Sequence, residues 1–168
     1  MIERIVVAGG YLFWPGERVR AAVGKGGLAS AKCEGDGATP TGIFALRCLL
    51  YRPDRLPTPR TGLVAAPIHP CDGWSDDPRD MLYNQAVPLP HPYSHERLWR
   101  EDGLYDLIVP LGYNDDPPVP GQGSAIFLHC ARPDYSPTEG CVAVAQSDLL
   151  RLVAECGPDT VMEISAGK

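Results

Sequence analysis

The sequence lacks four features that would each assign it to a large class of proteins. It has no apolar run approaching the roughly 18 residues that cross a bilayer, so we expect no membrane span. Its formal charge of −6 provides no basic surface, so we expect no nucleic-acid partner. It has no internal repeat, which argues against a solenoid. Gly9 and Gly10 interrupt the first apolar run, and we expect no export signal within this chain.

The sequence also has no CxxC pair, although it contains six cysteines. A structural zinc site is therefore not expected, and we predict neither a metal nor a cofactor. A chain of 168 residues can bury a hydrophobic core without disulfides. Reduced and mostly buried thiols are thus the expectation, although the number would allow three disulfides. The cysteines are Cys33, Cys48, Cys71, Cys130, Cys141 and Cys156.

Glycine and proline are abundant, with 18 of each, and the apolar segments between them are short. Alternation and turn residues predict strands at 4–8, 11–14, 18–24, 43–51, 105–114, 123–132, 141–145 and 160–165. Short helices are predicted at 94–100 and at 148–156, the second capped by Ser147 or Asp148. We therefore expect residues 1–168 to form one mainly β domain, and we expect it to be a monomer.

Residues 52–103 form a long segment, rich in proline and aromatic residues, between two predicted strands. Loops of this length are usually functional when they are ordered. Proline reduces the entropy lost on ordering, which suits a fixed wall better than a mobile lid. We predict that this segment forms one wall of a substrate groove, with aromatic contacts from Trp74, Tyr83 or Trp99.

A histidine and a cysteine occupy two of the later predicted strands. Alternation within 126–131 places Leu128 and Cys130 on the core face and His129 on the other face. Within 141–144, Val142 and Val144 point to the core, so Cys141 points away from it, as His129 does. The two prolines and the glycine between the strands make a return loop easy to close.

A cysteine beside a histidine is the minimum arrangement for nucleophilic catalysis. The imidazole of His129 can take the proton of the Cys141 thiol, and the imidazolium then stabilises the thiolate. Gly140 allows the backbone to turn so that its own N–H and that of Cys141 face a developing oxyanion.

The same pattern has two other interpretations, which the spacing alone leaves open. A histidine and a cysteine on neighbouring strands also occur as packing residues. A non-catalytic module that binds a metal or the cell wall could use His129 and Cys141 with His91 or His95. Pro92 weakens any helical site that contains the last two histidines.

Two motifs resemble the YkuD-type L,D-transpeptidase catalytic domain. His129 precedes a loop that ends Thr138-Glu139-Gly140-Cys141-Val142, and the upstream sequence GDGATPTGIFAL at 35–46 resembles a second segment of that family. The two motifs occur in the family's order and together span most of a domain. The resemblance implies a β-sandwich of mixed strands, with one or two short helices and, in this chain, the proline-rich 52–103 segment.

The resemblance also implies an enzyme that acts on peptidoglycan stem peptides. In such enzymes the cysteine attacks the carbonyl at the L-centre of diaminopimelate, a D-amino acid leaves, and a thioester forms. An amine of a neighbouring stem then resolves the thioester into a cross-link. At the matching positions, the resemblance implies that Cys141 is the nucleophile and His129 the general base. It also implies that the backbone amides of Gly140 and Cys141 bind the oxyanion. Resolution by water would instead give an L,D-carboxypeptidase or amidase. The implied location is periplasmic or facing the cell wall.

Three positions depart from the family's usual pattern. Glu139 stands where a second histidine is common, Ala143 where an arginine is common, and Cys130 where a small residue follows the histidine. If the Glu139 side chain pointed inward, it would raise the pKa of the Cys141 thiol. If it pointed outward, it could attract the ammonium group of an acceptor amine.

Because Ala143 replaces the arginine, another cation must hold the substrate carboxylates. We predict Arg132 for this role, with Arg47 as the alternative. The full set of predicted substrate contacts is Arg132, Glu139, Thr138, Tyr83 and Trp74.

Overall fold

The computed structural model describes residues 1–167, and its regular elements are mainly strands. The strands are β1 (Arg4–Ala8), β2 (Tyr11–Trp14), β3 (Glu17–Ala22), β4 (Leu28–Ala29), β5 (Thr39–Pro40), β6 (Gly42–Ala45), β7 (Leu49–Tyr51), β8 (Ala65–Pro67), β9 (Asp72–Ser75), β10 (Ala86–Pro88), β11 (His95–Arg97), β12 (Leu107–Pro110), β13 (Phe127–Cys130), β14 (Val142–Val144) and β15 (Val161–Ile164). One helix lies within these residues, α1 (Gln146–Glu155).

Ten of the strands form one curled mixed sheet in the order β6-β15-β1-β2-β3-β14-β13-β12-β7-β8. The pairs β1–β15, β13–β14 and β7–β8 are parallel, and the other neighbours in this sheet are antiparallel. The prediction of a mainly β fold with mixed strands is confirmed. Within residues 1–167, no helix has the length and hydrophobicity needed to cross a bilayer.

The first three strands form the antiparallel meander that the sequence predicts. Alternate residues of each strand are buried, such as Ile5 and Val7 in β1 and Leu12 and Trp14 in β2. Gly16 makes the turn between β2 and β3 with φ +81°, a conformation that residues with a Cβ rarely adopt. The turn residues and the alternation of buried residues therefore both predict the antiparallel strands found in this region.

The main core lies on one face of this sheet. Helix α1 buries Leu149, Leu152 and Val153 and packs near β13. The helix begins at Gln146, after Ala145, and no side chain caps it, so the predicted cap by Ser147 or Asp148 is wrong. Asp148 lies instead in the first turn, where a carboxylate interacts favourably with the helix dipole.

The opposite face of β12 and β13 is covered by a second, smaller cluster that includes parts of the 52–103 segment. Ile68 and Leu98 from this segment pack with Tyr105, Phe127 and Cys141. The segment also forms a separate sheet in the order β10-β9-β11. It is thus ordered and lies on the same side of the main sheet as Cys141.

Two predicted elements differ from the structure because strand pairing overrides the local pattern. The predicted helix 94–100 is instead the strand His95–Arg97, which pairs with β9. The predicted strand 43–51 is divided, because Gly42–Ala45 pairs with β15 whereas Leu49–Tyr51 pairs with β12 and β8. Long-range pairing of this kind is not visible in a short sequence window.

Candidate active site

Parallel pairing of β13 with β14 brings the predicted catalytic residues to one face of the sheet. Leu128 pairs with Val142, and His129 pairs with Ala143. Leu128 and Val142 belong to the main core, whereas Cys141 belongs to the cluster on the opposite face. The side-by-side arrangement that alternation predicts for these two strands is therefore present.

Two threonine hydroxyls fix the loop that carries the cysteine. Thr138 Oγ1 donates to the Cys141 carbonyl at 2.6 Å and accepts from the Gly140 N–H at 3.1 Å. Thr39 Oγ1 donates to the Gly140 carbonyl at 2.8 Å and accepts from the Gly24 N–H at 2.8 Å. Thr39 belongs to the upstream motif at 35–46, so the two motifs of the sequence meet at Gly140.

Gly140 is required by the backbone path of this loop. Its φ is +139°, and a Cβ at this position would lie 2.9 Å from the Ala38 carbonyl oxygen. Real Cβ atoms rarely approach a carbonyl so closely, and the neighbour is backbone that cannot turn aside. The glycine thus lets β5 and the cysteine loop pack against each other.

The Cys141 thiol is buried and hydrogen-bonded to backbone. Its Sγ donates to the Ala125 carbonyl at 3.2 Å and accepts from the Phe127 N–H at 3.4 Å. Burial raises the pKa of the Cys141 thiol to about 12, and the nearby Glu96 carboxylate acts in the same direction. The thiol is therefore protonated at neutral pH. No hydrogen bond joins Cys141 to His129 within residues 1–167.

The His129 imidazole is also buried, and it is neutral. Its Nδ1 lies 2.9 Å from the Cys130 carbonyl oxygen, and since a carbonyl can only accept, Nδ1 carries the proton. Nε2 therefore holds the lone pair. Burial lowers the pKa of His129 to about 4. The ring of Tyr105 packs edge-on against the imidazole, with 5.2 Å between centroids. The histidine is thus held in the tautomer and charge state of a proton acceptor.

Both residues line a cleft of about 350 Å³. Thr138, Glu139 and Gly140 line it as well. Glu139 pairs with Lys25 at 2.8 Å, and both side chains are mostly exposed, so this carboxylate faces solvent. A carboxylate in that position is well screened and has little effect on a buried thiol.

The predicted cation Arg132 lines the same cleft. It is exposed, and it has no ion pair with any residue of the described chain 1–167. The alternative, Arg47, pairs with Asp115 at 2.8 Å and does not line the cleft. Arg132 is therefore the better placed of the two to meet a substrate carboxylate.

The predicted aromatic contacts lie outside the cleft lining. Trp74 packs against Phe127 and donates its Nε1–H to Asn84, and Tyr83 is buried with its hydroxyl bonded to Glu34. Trp99 packs beneath the guanidinium of Arg52. None of these three aromatic residues is among the lining residues of the described chain. The 52–103 segment instead lines the cleft with charged side chains, because its aromatic side chains are used to pack it onto the sheet.

Several polar residues that line the cleft could not be identified from the sequence. They are Lys32, Glu34, Asp76, Glu96, Arg100 and Tyr105. Asp76 and Glu96 follow or lie in short strands of the 52–103 segment, and no motif marks them. Among them, only Tyr105 has a recognisable sequence pattern, because an aromatic residue just before a buried strand is a candidate for the core or its edge.

The remaining histidines lie apart from the cysteine. His91 Nε2 lies 2.6 Å from Asp80 Oδ2, and the rings of His91 and His95 are 5.9 Å apart. Neither histidine lines the cleft, and within residues 1–167 no group of three or more His, Cys, Asp or Glu side chains is placed to hold a metal ion. All six cysteines are free thiols. This arrangement does not favour the metal-binding interpretation.

A family model described as the YkuD L,D-transpeptidase catalytic domain matches residues 5–164. No curated protein matches the chain. Among solved structures, an L,D-transpeptidase from Mycobacterium smegmatis is 12% identical with a TM-score of 0.46, and it aligns over 98% of this chain and 59% of its own length. The helical cell shape determining protein Pgp2 from Campylobacter jejuni is 13% identical with a TM-score of 0.47, over 98% of this chain and 48% of its own. The chain thus spans about half to three fifths of these two proteins.

Proposed function

Because the chain belongs to the YkuD family of L,D-transpeptidase catalytic domains, we propose that it is a cysteine-dependent L,D-transpeptidase of peptidoglycan. Its substrates are stem peptides, and its reaction cross-links them at the L-centre of diaminopimelate. It works on the outer side of the cytoplasmic membrane, where this substrate lies. The observation that carries the proposal is the placement of a buried thiol and a neutral imidazole in one cleft.

The first half-reaction transfers an acyl group to Cys141. The thiol proton passes to Nε2 of His129 as Sγ bonds to the substrate carbonyl carbon. The carbon–nitrogen bond to the terminal D-amino acid then breaks, and His129 returns the proton to the leaving amine. Both groups are neutral at rest, so the thiolate forms only during attack by general-base catalysis. The Cys141 side chain must leave the Ala125 carbonyl to reach the imidazole.

Charge that develops on the carbonyl oxygen requires N–H donors in the cysteine loop. The Gly140 N–H already donates to Thr138, so we assign the Cys141 N–H as the first donor to the oxyanion. The Gly140 N–H becomes a second donor if it exchanges Thr138 for the oxyanion. The role of Thr138 in this scheme is to hold the loop, through its bond to the Cys141 carbonyl.

The second half-reaction releases the acyl group to an amine. The acceptor nitrogen attacks the thioester carbon, its proton passes to His129, and the carbon–sulfur bond breaks to restore the thiol. Attack by water would give carboxypeptidase products from the same intermediate. Three carboxylates and one cation, Arg132, line the cleft without an ion-pair partner within residues 1–167. This excess of negative charge favours an acceptor that carries positive charge over neutral water.

The experiment that tests this proposal is incubation with purified tetrapeptide muropeptides, followed by mass spectrometry of the products. Cross-linked dimers identify a transpeptidase, and shortened monomers identify a carboxypeptidase. We expect Cys141→Ala to abolish both products and His129→Ala to lower the rate by about 10²–10⁴-fold. Circular dichroism of each variant checks that the fold is retained. Turnover that survives in Cys141→Ala would contradict the proposal.

A further inference from the structure

Within residues 1–167, three lysine or arginine side chains line the cleft, and they differ in burial. The side chain of Lys32 is 4% exposed, whereas that of Arg100 is 36% exposed and Arg132 is an exposed residue. A charge that is shielded from solvent acts on its neighbours through a lower effective dielectric constant than an exposed charge does. Lys32 is therefore the cation of the cleft with the strongest effect on groups close to it.

The ammonium group of Lys32 lies beside the loop that carries the cysteine. Its Nζ is 3.6 Å from the point at which a Cβ would stand on Gly140, the residue before Cys141. The stem of the lysine passes over Gly123, where a Cβ would lie 2.8 Å from Lys32 Cε and 3.2 Å from Cδ. Two positions without a side chain thus leave the space that the lysine occupies.

An ion pair holds the ammonium group so that its charge faces the cleft. Lys32 Nζ donates to Asp36 Oδ1 at 2.7 Å and to the Cys33 carbonyl at 3.4 Å. The same carboxylate accepts from the Cys33 and Ala38 N–H groups at 2.8 and 2.9 Å, which fixes it to the backbone. Lys32 lines the cleft, but Asp36 does not. The hydrogen bonds within residues 1–167 therefore leave one of the three ammonium N–H donors free at the end of the pair that faces the cleft.

The charge of Lys32 acts on Cys141, whereas a different cation acts on His129. Burial and the Glu96 carboxylate raise the pKa of the Cys141 thiol, and the Lys32 ammonium opposes both. Burial lowers the pKa of His129, and the Arg100 guanidinium lowers it further. Lys32 is thus the cation that favours loss of the thiol proton.

We propose that Lys32, held by Asp36, stabilises the negative charge that forms at Cys141 when the thiol attacks the substrate carbonyl. The thiol proton passes to Nε2 of His129, so Lys32 neither gains nor loses a proton. The negative charge moves from Sγ to the carbonyl oxygen as the sulfur–carbon bond forms, and the ammonium attracts it at both atoms. This inference deepens the proposed function, on which the role in acylation rests, but the effect of Lys32 on the thiol can be measured without turnover.

The test compares the alkylation of Cys141 by neutral iodoacetamide and by anionic iodoacetate at pH 8, and peptide mapping follows each cysteine separately. Lys32→Met keeps an unbranched side chain but removes the charge. We expect this variant to react about three- to tenfold more slowly with iodoacetamide, because less of the thiol is ionised. The rate with iodoacetate should fall by a larger factor, because the cleft also loses its attraction for the anion. Lys32→Arg keeps the charge and should retain most of both rates.

The matched control is Lys25→Met, which removes the same charge from a side chain that is 60% exposed and does not line the cleft. It should change both rates by less than about twofold, because solvent screens an exposed charge. Circular dichroism checks the fold of each variant, and Lys32→Gln replaces Lys32→Met in the comparison if the latter does not fold.

Unchanged iodoacetamide rates in the neutral Lys32 variant would overturn the proposal. Losses that Lys32→Arg shares, or that are equal for the two reagents, would also overturn it, because the lysine would then act through its shape rather than its charge. With a tetrapeptide donor, formation of the thioester should slow by at least the factor found for iodoacetamide. If no donor reacts in any variant, the proposed function fails, whereas the measured effect of Lys32 on the thiol stands.

Discussion

The buried imidazole of His129 should make the protein lose stability in mild acid. Its pKa is about 4 in the folded protein, whereas a histidine in an unfolded chain titrates near 6.5. Between these values the unfolded chain binds a proton that the folded protein does not bind. Stability from this group is therefore complete above about pH 6.5 and is lost as the pH falls towards about 4.

The size of this effect follows from the difference between the two pKa values. The fall in the His129 pKa from 6.5 to about 4 corresponds to about 3 kcal/mol of unfolding free energy at full development. Below about pH 4 both states are protonated, so this histidine causes no further change. Because total stabilities are commonly about 5–15 kcal/mol, the loss should be easily measured.

The assay is urea unfolding of the wild type and of His129→Gln at pH 7.5, 5.5 and 4.0. Glutamine can still donate to the Cys130 carbonyl but does not titrate. The stability of the variant relative to the wild type should therefore rise by about 3 kcal/mol between pH 7.5 and pH 4.0. The same pH dependence in both proteins would show that His129 does not cause the loss of stability in acid. An NMR titration of the four histidines would give the His129 pKa directly.

Three further predictions concern the loop and the cleft. Gly140→Ala should lower the free energy of unfolding by about 1–3 kcal/mol. Gly10→Ala should lower it less, because the φ of Gly10 is also positive but a Cβ there would meet no neighbouring atom. Equal losses in thermal unfolding would show that the close contact at Gly140 is not the cause. Thr39→Val should slow turnover more than Thr39→Ser, because serine keeps the hydroxyl that joins Gly24 to Gly140. Equal rates in the two variants would show that these hydrogen bonds are dispensable. Arg132→Lys should reduce turnover of donors that bear a carboxylate but leave alkylation of Cys141 by a small neutral reagent nearly unchanged, and parallel losses would indicate support of the loop.

The relation of His129 to Cys141 could be predicted from the sequence because period-two alternation is a local property. Residues two apart share a face, and the core residues on both strands, such as Leu128 and Val142, leave the other face for the candidate site. The loop motif added the role of Gly140. These inferences need only neighbouring residues and the general geometry of strands.

The protonation states could not be predicted in the same way. Alternation directed the thiol away from the main core, but it gave no sign that a second cluster containing Ile68 and Leu98 would bury that face. That burial is what raises the pKa of Cys141 and lowers that of His129. The carboxylates that line the cleft could not be predicted for a similar reason, because segments distant in sequence bring Glu34 and Glu96 together there.

In the proposed mechanism Cys141 carries the acyl group, and trapping the thioester on this residue would demonstrate it. The protein is mixed with a tetrapeptide donor without an acceptor, quenched in acid, and measured by intact mass and by peptide mapping. We expect an adduct equal to the donor without its terminal amino acid, located on Cys141, released by hydroxylamine and absent from Cys141→Ala. An adduct on another of the six cysteines, or turnover that continues in Cys141→Ala, would contradict it.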